Sequence, residues 1–313
     1  MFSYAIRRIL ATIPVMGIVA LFIFSLLYIA PGDPAAIIAG DQATPADIER
    51  IRMSLGLDRP FIVRFADWLW HVLRGDLGTS IFTNLPVTHM IGQRIEPTLS
   101  LMSLTLILSL VVAIPMGVVA AWKSGTWIDR SLMVIAVLLF SVPVFVVGYV
   151  LAYVFALQLD WLPVQGYTPI SRGIWPWFEN LILPTVALGG VYIALIARIT
   201  RATMLEVLNQ DYVRTARAKG VDQRAILFVH ALKNAAVPIV TIVGIGFASL
   251  IGGSVVTESV FAIPGLGRLV VDAILRRDYP IIQGVVLMFS FIYVLVNLVV
   301  DLLYTVFDPR IRY

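Results

Sequence analysis

Six stretches of mostly apolar residues, 9–30, 99–121, 132–157, 179–199, 235–257 and 281–304, decide what this chain can become. A helix needs about 20 such residues to cross a bilayer. Unpaired backbone is costly in lipid, so a run of that length has few outcomes other than a spanning helix. Composition agrees: of 313 residues 59% are hydrophobic and 13% charged, with a mean hydropathy of +0.92. Soluble domains carry roughly 25% charged residues. The expectation is an all-α, multi-pass membrane protein with six transmembrane helices. The first stretch follows Arg7 and Arg8 and ends at Ala30. It is longer than the apolar core of a secretory signal, about 7–15 residues, and reads as an uncleaved span. Pro115, Pro143, Pro184 and Pro238 fall in or beside the later spans. Neighbouring helices can satisfy the carbonyls a proline frees, so each is expected to be a kink rather than a gate.

An even number of spans puts both termini on one side, and charge placement says which. With the N-terminus inside, segments 1–8, 122–131, 198–234 and 305–313 carry 13 basic and 5 acidic residues. The opposite segments, 31–98, 158–178 and 258–280 with Glu179 at a rim, carry 10 basic and 13 acidic. Lys and Arg collect on the cytoplasmic side, so both termini are expected to be cytoplasmic. The long 31–98 loop has helices of its own. Thr44-Pro45 reads as a cap and first helical residue, Ile48, Ile51 and Leu55 share a face, and Gly56 ends the helix. Phe61, Phe65, Trp68, Leu69 and Val72 recur at helical spacing. After a Gly75–Gly78 turn, Pro86 is expected to open a third short helix carrying Val87, Met90, Ile91 and Ile95. Such a helical cap is either a platform for an extracytoplasmic partner or a cover over the bundle.

The sequence lacks the chemistry of several function classes. It holds no G-x-x-x-x-G-K-[ST] phosphate loop and no H-E-x-x-H, and His71, His89 and His230 are scattered. With no cysteine there is no disulfide or thiolate site. No catalytic or metal-binding residue is nominated, and nothing points to nucleic acid. An ion-coupled secondary transporter needs ionisable groups in its core. Here Asp301 is the one acid inside a span away from its rim, and pairing with Arg310 or Arg312, or reaching toward the interface, is its plain reading. A membrane anchor without a transport path is the other class open. Trp122 and Trp127, and Trp161, Trp175 and Trp177 in the 158–178 loop, suit a membrane interface. Gly244, Gly246, Gly252 and Gly253 suit close helix packing. The turn E-S-V-F-A-I-P-G-L-G-R-L at 258–269 is a candidate outer gate, with Glu258, Phe261, Pro264, Gly265 and Gly267 as its residues.

One basic run stands apart, D-Y-V-R-T-A-R-A-K-G-V-D-Q-R-A-I-L-F-V-H-A-L-K-N-A-A-V-P at 211–238. Asp211 is expected to cap a short helix over Tyr212 to Lys219, Gly220 to end it in a left-handed turn, and Asp222 to cap a second helix from Gln223 to Ala236. Thr215, Ala216 and Ala218 are small enough for another protein to approach closely. By charge alone this is a solvated positive loop that fixes topology.

The order of its residues says more. Asp211–Gly220 and His230–Ala235 resemble the cytoplasmic coupling loop of ABC importer permeases, in the variant of the dipeptide, oligopeptide, nickel and glutathione branch. P-G-D-P at 31–34, R-I-E-P-T-L-S-L at 94–101, the 258–269 turn, R-D-Y-P at 277–280 and D-P-R-I-R-Y at 308–313 are similar to the same branch. The glutamate and first alanine of the wider family's motif are replaced by Arg214 and Thr215, and its Leu-Pro by Leu232-Lys233. The resemblance implies a type I permease with an N-terminal helix and periplasmic helical loop (1–93), a five-helix transmembrane domain (94–304) containing the coupling loop 198–234, and a cytoplasmic tail (305–313). It implies a non-catalytic subunit of a bacterial inner membrane importer for peptides or glutathione-like solutes, with nickel chelates or sugars as alternatives. Its partners would be a second, homologous permease forming a heterodimer, two ABC ATPase subunits that hold ATP and Mg, and a periplasmic solute-binding protein, all at the lipid bilayer. The coupling residues would be Asp211, Tyr212, Arg214, Thr215, Ala216, Arg217, Lys219 and Gly220.

Overall fold

A computed structural model describes residues 2–29, 34–39, 43–54 and 56–307. The P-G-D-P motif at 31–34, apart from Pro34, and the D-P-R-I-R-Y motif lie outside the described residues, as do the expected partners of Asp301. Leu55 is outside them too. The named elements of the described residues are all helical, and the one extended pairing among them is an isolated bridge between Thr79 and Pro86. In order the helices are α1 (Phe2–Ile29), α2 (Pro34–Ala39), α3 (Pro45–Ser54), α4 (Phe61–Leu73), α5 (Val87–Trp122), α6 (Trp127–Ser141), α7 (Val144–Leu151), α8 (Ile174–Leu208), α9 (Asp211–Ala218), α10 (Gln223–Ala225), α11 (Leu232–Val260), α12 (Leu266–Arg276) and α13 (Tyr279–Phe307). A π-helical stretch, Ala152–Gln158, follows α7, and another, Ile226–Ala231, joins α10 to α11. Among the described residues five helices are long and apolar enough to cross a membrane, or six if the bent pair described below counts as one span.

Contacts divide the chain into two units. The smaller contains residues 7–94 and 269–292. Its core is the face predicted from the aromatic spacing. Phe24 of α1 sits with its ring 5.4 Å from Phe61, 5.5 Å from Phe65 and 5.3 Å from Trp68 of α4. Ala20 and Ile23 are buried with Leu287, and Leu69 and Val72 pack around them. Gly56 takes φ +62° and ends α3 as expected, after Ile48 N–H has bonded to Thr44 O at 3.1 Å. The loop before α5 is held by a buried carboxylate. Asp278, just ahead of α13, accepts a hydrogen bond of 2.6 Å from the Ser80 hydroxyl. This gives R-D-Y-P a structural task. A Cβ on Gly284 would lie 2.6 Å from Val87 Cγ1, so glycine is what lets α13 come so close to the first turn of α5.

The larger unit is built mainly from residues 95–268 around α8. The α8 span is 72% enclosed, whereas that of α1 is 17% enclosed. Small residues bring the helices together, as expected of membrane packing. A Cβ on Gly117 of α5 would fall 2.6 Å from Thr200, one on Gly253 would fall 2.7 Å from Leu188, and one on Gly244 would fall 2.8 Å from Val300.

Three expectations are corrected. Pro86 does not open a separate short helix, because α5 runs unbroken for 36 residues through Pro97 and Pro115. The third span is not one helix with a kink: α6 and the helix that follows it meet at 98° across Val142-Pro143. A proline has no N–H to donate and its ring disfavours helical geometry in the residue before it, which here is extended at ψ 127°. Pro115, Pro184 and Pro238 stay inside continuous helices. Third, the helix that begins at Gln223 does not stop near Ala236, because it continues as a single rod to Val260.

Candidate functional site

The basic run folds around one buried side chain. Val213 is fully buried, in a cluster with Ile226, Leu227, Val118, Met204 and Leu208. It bolts α9 to the ends of α5 and α8 and to the start of the rod. The other residues of α9 face outward. Asp211, Tyr212, Arg214, Thr215, Arg217, Ala218, Lys219 and Gly220 are exposed, and Ala216 is half-buried. The result is a short helix that is basic and small-featured outside and fixed from beneath.

Its ends are defined by backbone chemistry. Gly220 adopts φ +76°. Its N–H donates to Arg217 O at 3.0 Å and the Val221 N–H reaches back to Ala216 O at 3.2 Å, which is a left-handed helix stop. Asp222 caps the next helix as expected, accepting from Arg224 N–H at 2.9 Å. Asp211 is not a cap. The flanking position is Gln210, without a side-chain bond, and Asp211 occupies the first turn, where its charge complements the helix dipole. Thr215 Oγ donates to Asp211 O at 2.9 Å.

An ion pair steadies the base of this assembly. Arg201, in the last turns of α8, donates to both carboxylate oxygens of Asp129 at 2.6 and 2.7 Å, and Asp129 also accepts from Gly125 N–H at 3.0 Å. Asp129 is 4% exposed. The pair locks the turn between α5 and α6 to the helix that leads into α9. Sequence spacing could not reveal it, because its members stand 72 positions apart. Val213 had a signal: it is an apolar residue in a basic run, as are Ile226 and Leu227.

The 258–269 turn is a second constellation. Glu258 is fully buried in the last turn of α11. It accepts from Thr98 Oγ at 2.6 Å and from Arg268 N–H at 3.0 Å, and Leu266 N–H donates to Thr98 Oγ at 2.8 Å. A Cβ on Gly265 would collide with the Glu258 carboxylate, and one on Gly267 would lie 2.6 Å from Val255 Cα. Both glycines therefore exist to let the turn fold over Glu258. Phe261 is buried and Pro264 exposed. Of the five residues nominated there, Glu258, Gly265 and Gly267 come together, Phe261 packs toward Gly148, and Thr98 is the one missed. Beside it Glu96 accepts from the Tyr167 hydroxyl at 2.9 Å and Ile170 N–H at 3.0 Å, while Trp177 donates to Ser100 Oγ at 3.1 Å. Burial pushes the Tyr167 phenol up, so it stays a donor. Gly166 N–H bonds to Phe261 O at 2.9 Å. The motif R-I-E-P-T-L-S-L thus grips both the loop 158–178 and the turn. Trp177 is consumed by that grip, and Trp161 and Trp175 remain exposed. No group of three His, Cys, Asp or Glu side chains that could hold a metal occurs among the described residues.

Comparison with known proteins identifies the family. Residues 113–313 match the family of binding-protein-dependent transport system inner membrane components, and residues 1–102 match the N-terminal region of such membrane components. The chain is 59% identical over 310 residues to the "Probable peptide ABC transporter permease protein y4tP" of Sinorhizobium fredii, covering 99% of each. It is 42% identical over the full length of each chain to the glutathione transport system permease protein GsiC of Salmonella typhimurium. Its fold is similar to a chain of the MetNI methionine ABC transporter in an inward-facing form, with a TM-score of 0.58, 17% identity, 70% of this chain covered and 96% of that one. The chain belongs to the binding-protein-dependent transport system inner membrane component family, and it is a multi-pass permease with the type I ABC importer fold.

Proposed function

We propose that this chain lines part of the path by which an ATP-driven importer moves peptides across the bacterial inner membrane. It hydrolyses nothing itself. Two ATPase subunits carrying ATP and Mg work beneath it, a second permease subunit completes the path as a heterodimer, and a periplasmic binding protein delivers the cargo. Both termini and α9 lie on the cytoplasmic side, and residues 31–98 and the 258–269 turn lie outside. In this reading α9 seats in an ATPase groove through Arg214, Thr215, Ala216, Arg217 and Lys219, and the turn is the outer gate. The relatives named for peptide and glutathione transport support peptides as the cargo class. A boundary near residue 94 between the N-terminal segment and the transporting domain, with the coupling loop at 198–234, belongs to the same reading.

The observation that carries it is the build of α9. A helix exposed on its basic face, fixed by a buried Val213 and closed by a left-handed Gly220, transmits displacement instead of absorbing it. The test is uptake of a labelled tripeptide by cells expressing the whole system, with and without the ATPase genes, alongside labelling of Lys219 by a membrane-impermeant amine reagent. Uptake should need the ATPase, and Lys219 should react only in opened cells. ATPase-independent uptake, or labelling of Lys219 in intact cells, would overturn the proposal.

A further inference from the structure

The smaller unit contains a cavity of about 270 Å³ that the transport reading leaves unused. Phe24 and Leu27, at the end of the apolar run of α1, form one wall, and Trp68 of α4 adds another. Two polar side chains from the first turns of α13 complete it. Tyr279 is 9% exposed and Gln283 is 8% exposed, one helical turn apart. Neither side chain makes a hydrogen bond to the described residues. An enclosed amide needs a partner, and here the space it borders is large enough to supply one. At the cavity edge, Arg59 is held loosely by Asp67 at 3.5 Å, with both side chains more than half exposed. Arg64 lies 5.7 Å from the Phe24 ring. The edge therefore offers a cation, Arg59, and an anion, Asp67.

We propose that this cavity is a binding site for the headgroup of a glycerophospholipid carrying a phosphate and a neighbouring ammonium. Arg59 takes the phosphate, Asp67 takes the ammonium, and the Gln283 amide donates to an ester carbonyl. The aromatic walls accept the glycerol and first methylenes. Position favours a lipid over a soluble zwitterion. The cavity is lined by Phe24 and Leu27 in the last turns of the α1 span, of which this chain itself encloses only 17%. Leu21, one turn before Phe24, is 43% exposed and continues the apolar wall along the direction an acyl chain would take. A bound lipid would brace α4 against α1.

The experiment uses the intact transporter, purified with its partner subunits and stripped of lipid in detergent. Native mass spectrometry follows adducts of soluble dihexanoyl phosphatidylethanolamine, with inorganic phosphate and dialanine as separate competitors. The wild-type complex should take up the lipid and keep it against both competitors. Gln283→Met keeps the side-chain length and removes the amide, and should weaken binding about fivefold, the worth of one buried hydrogen bond. Leu57→Trp fills the cavity without touching its polar groups and should weaken it at least as much. Absence of an adduct on the wild type, or binding as tight as wild type in either variant, overturns the proposal. Displacement by phosphate alone makes it an anion site without lipid, and displacement by dialanine gives the cavity to cargo, and either result also ends it.

Discussion

Gly220 offers the sharpest test of α9 as a rigid coupler, because backbone and sterics separate there. Its φ is +76°, yet a Cβ built on it would meet nothing within 4 Å. Any effect of a small side chain must therefore come through the backbone. A left-handed conformation costs an L-residue about 1–2 kcal/mol, and asparagine less. Gly220→Ala should accordingly lower the properly folded population of the α9 stop by about 5- to 30-fold relative to its alternatives. Gly220→Asn should stay near wild type. Gly220→Pro is worse in kind, because proline is confined to φ near −65°. It also deletes the N–H that bonds Arg217 O and breaks the register of the Val221 N–H to Ala216 O bond. At about 1 kcal/mol for each lost bond on top of the backbone term, the stop loses about 3–4 kcal/mol. The spans are not involved, so membrane levels should be unchanged. The assay measures peptide uptake, ATPase activity and recovery of the ATPase on the tagged permease, all in one membrane preparation. Uptake per ATP should fall in the order Gly, Asn, Ala, Pro. Wild-type uptake by Gly220→Pro would refute the reasoning, and so would an alanine variant worse than the proline one.

Asp129→Ala should lower thermal stability of the complex in detergent by about 2–3 kcal/mol, the cost of leaving Arg201 partly buried without its carboxylate. The pair Asp129→Leu with Arg201→Met should regain most of it, and a double variant as unstable as the single one would count against the strut. Gly265→Ala should drive the Glu258 carboxylate off Thr98 and the Arg268 N–H, losing at least about 3 kcal/mol of charge-assisted bonding, and Glu258→Gln should do less. Because the chain has no cysteine, Ala262→Cys alone can report opening of the turn by its labelling rate, which should rise in Gly265→Ala and stay constant if the turn is not held by Glu258. Removing residues 45–73 takes away α3 and α4 and should spare insertion while reducing uptake at low binding-protein concentration; equal uptake at every concentration would make that region a cover and no more.

What could be read in the sequence is what local periodicity writes. The spans, the α4 face of Phe61, Phe65 and Trp68, the Gly56 and Gly220 stops and the Asp222 cap depend on neighbours within about two turns, so the residue order carries them. What could not be read depends on distant partners. Asp129 and Arg201, Ser80 and Asp278, and Thr98 and Glu258 are brought together by packing, and no spacing rule announces them. Helix ends are not fixed by local sequence where two signals compete. Pro86 followed by an amphipathic stretch looks like a short helix, but nothing breaks the chain before Trp122, so the same turn grows into the span. Pro143 looked like the other prolines, yet it alone coincides with an extended residue and a 98° break.

The continuity from Gln223 to Val260 joins the two candidate sites mechanically. Thirty-eight residues form this rod, about 57 Å at 1.5 Å per residue, against a hydrocarbon core of about 30 Å. It begins at the Asp222 cap beside α9 and ends two residues beyond Glu258. Where it could yield, it is braced. Pro238 removes one helical donor and the π-helical turn Ile226–Ala231 shifts the bonding register, and Asn234 Nδ2 donates back to His230 O at 2.7 Å across this stretch. Leu227, Ala231 and Ala235 are buried along the same stretch. On the proposed reading, a tilt of α9 passes through the Val213 contact to Ile226 and Leu227 and reaches Glu258 along one helix. At the far end the carboxylate holds Thr98 and the Arg268 N–H in one geometry, and a small shift of its Cα lengthens both bonds together. Short charge-assisted bonds weaken steeply with distance. The turn is thus expected to release over a narrow range of rod displacement, which suits a closure that must be either made or open.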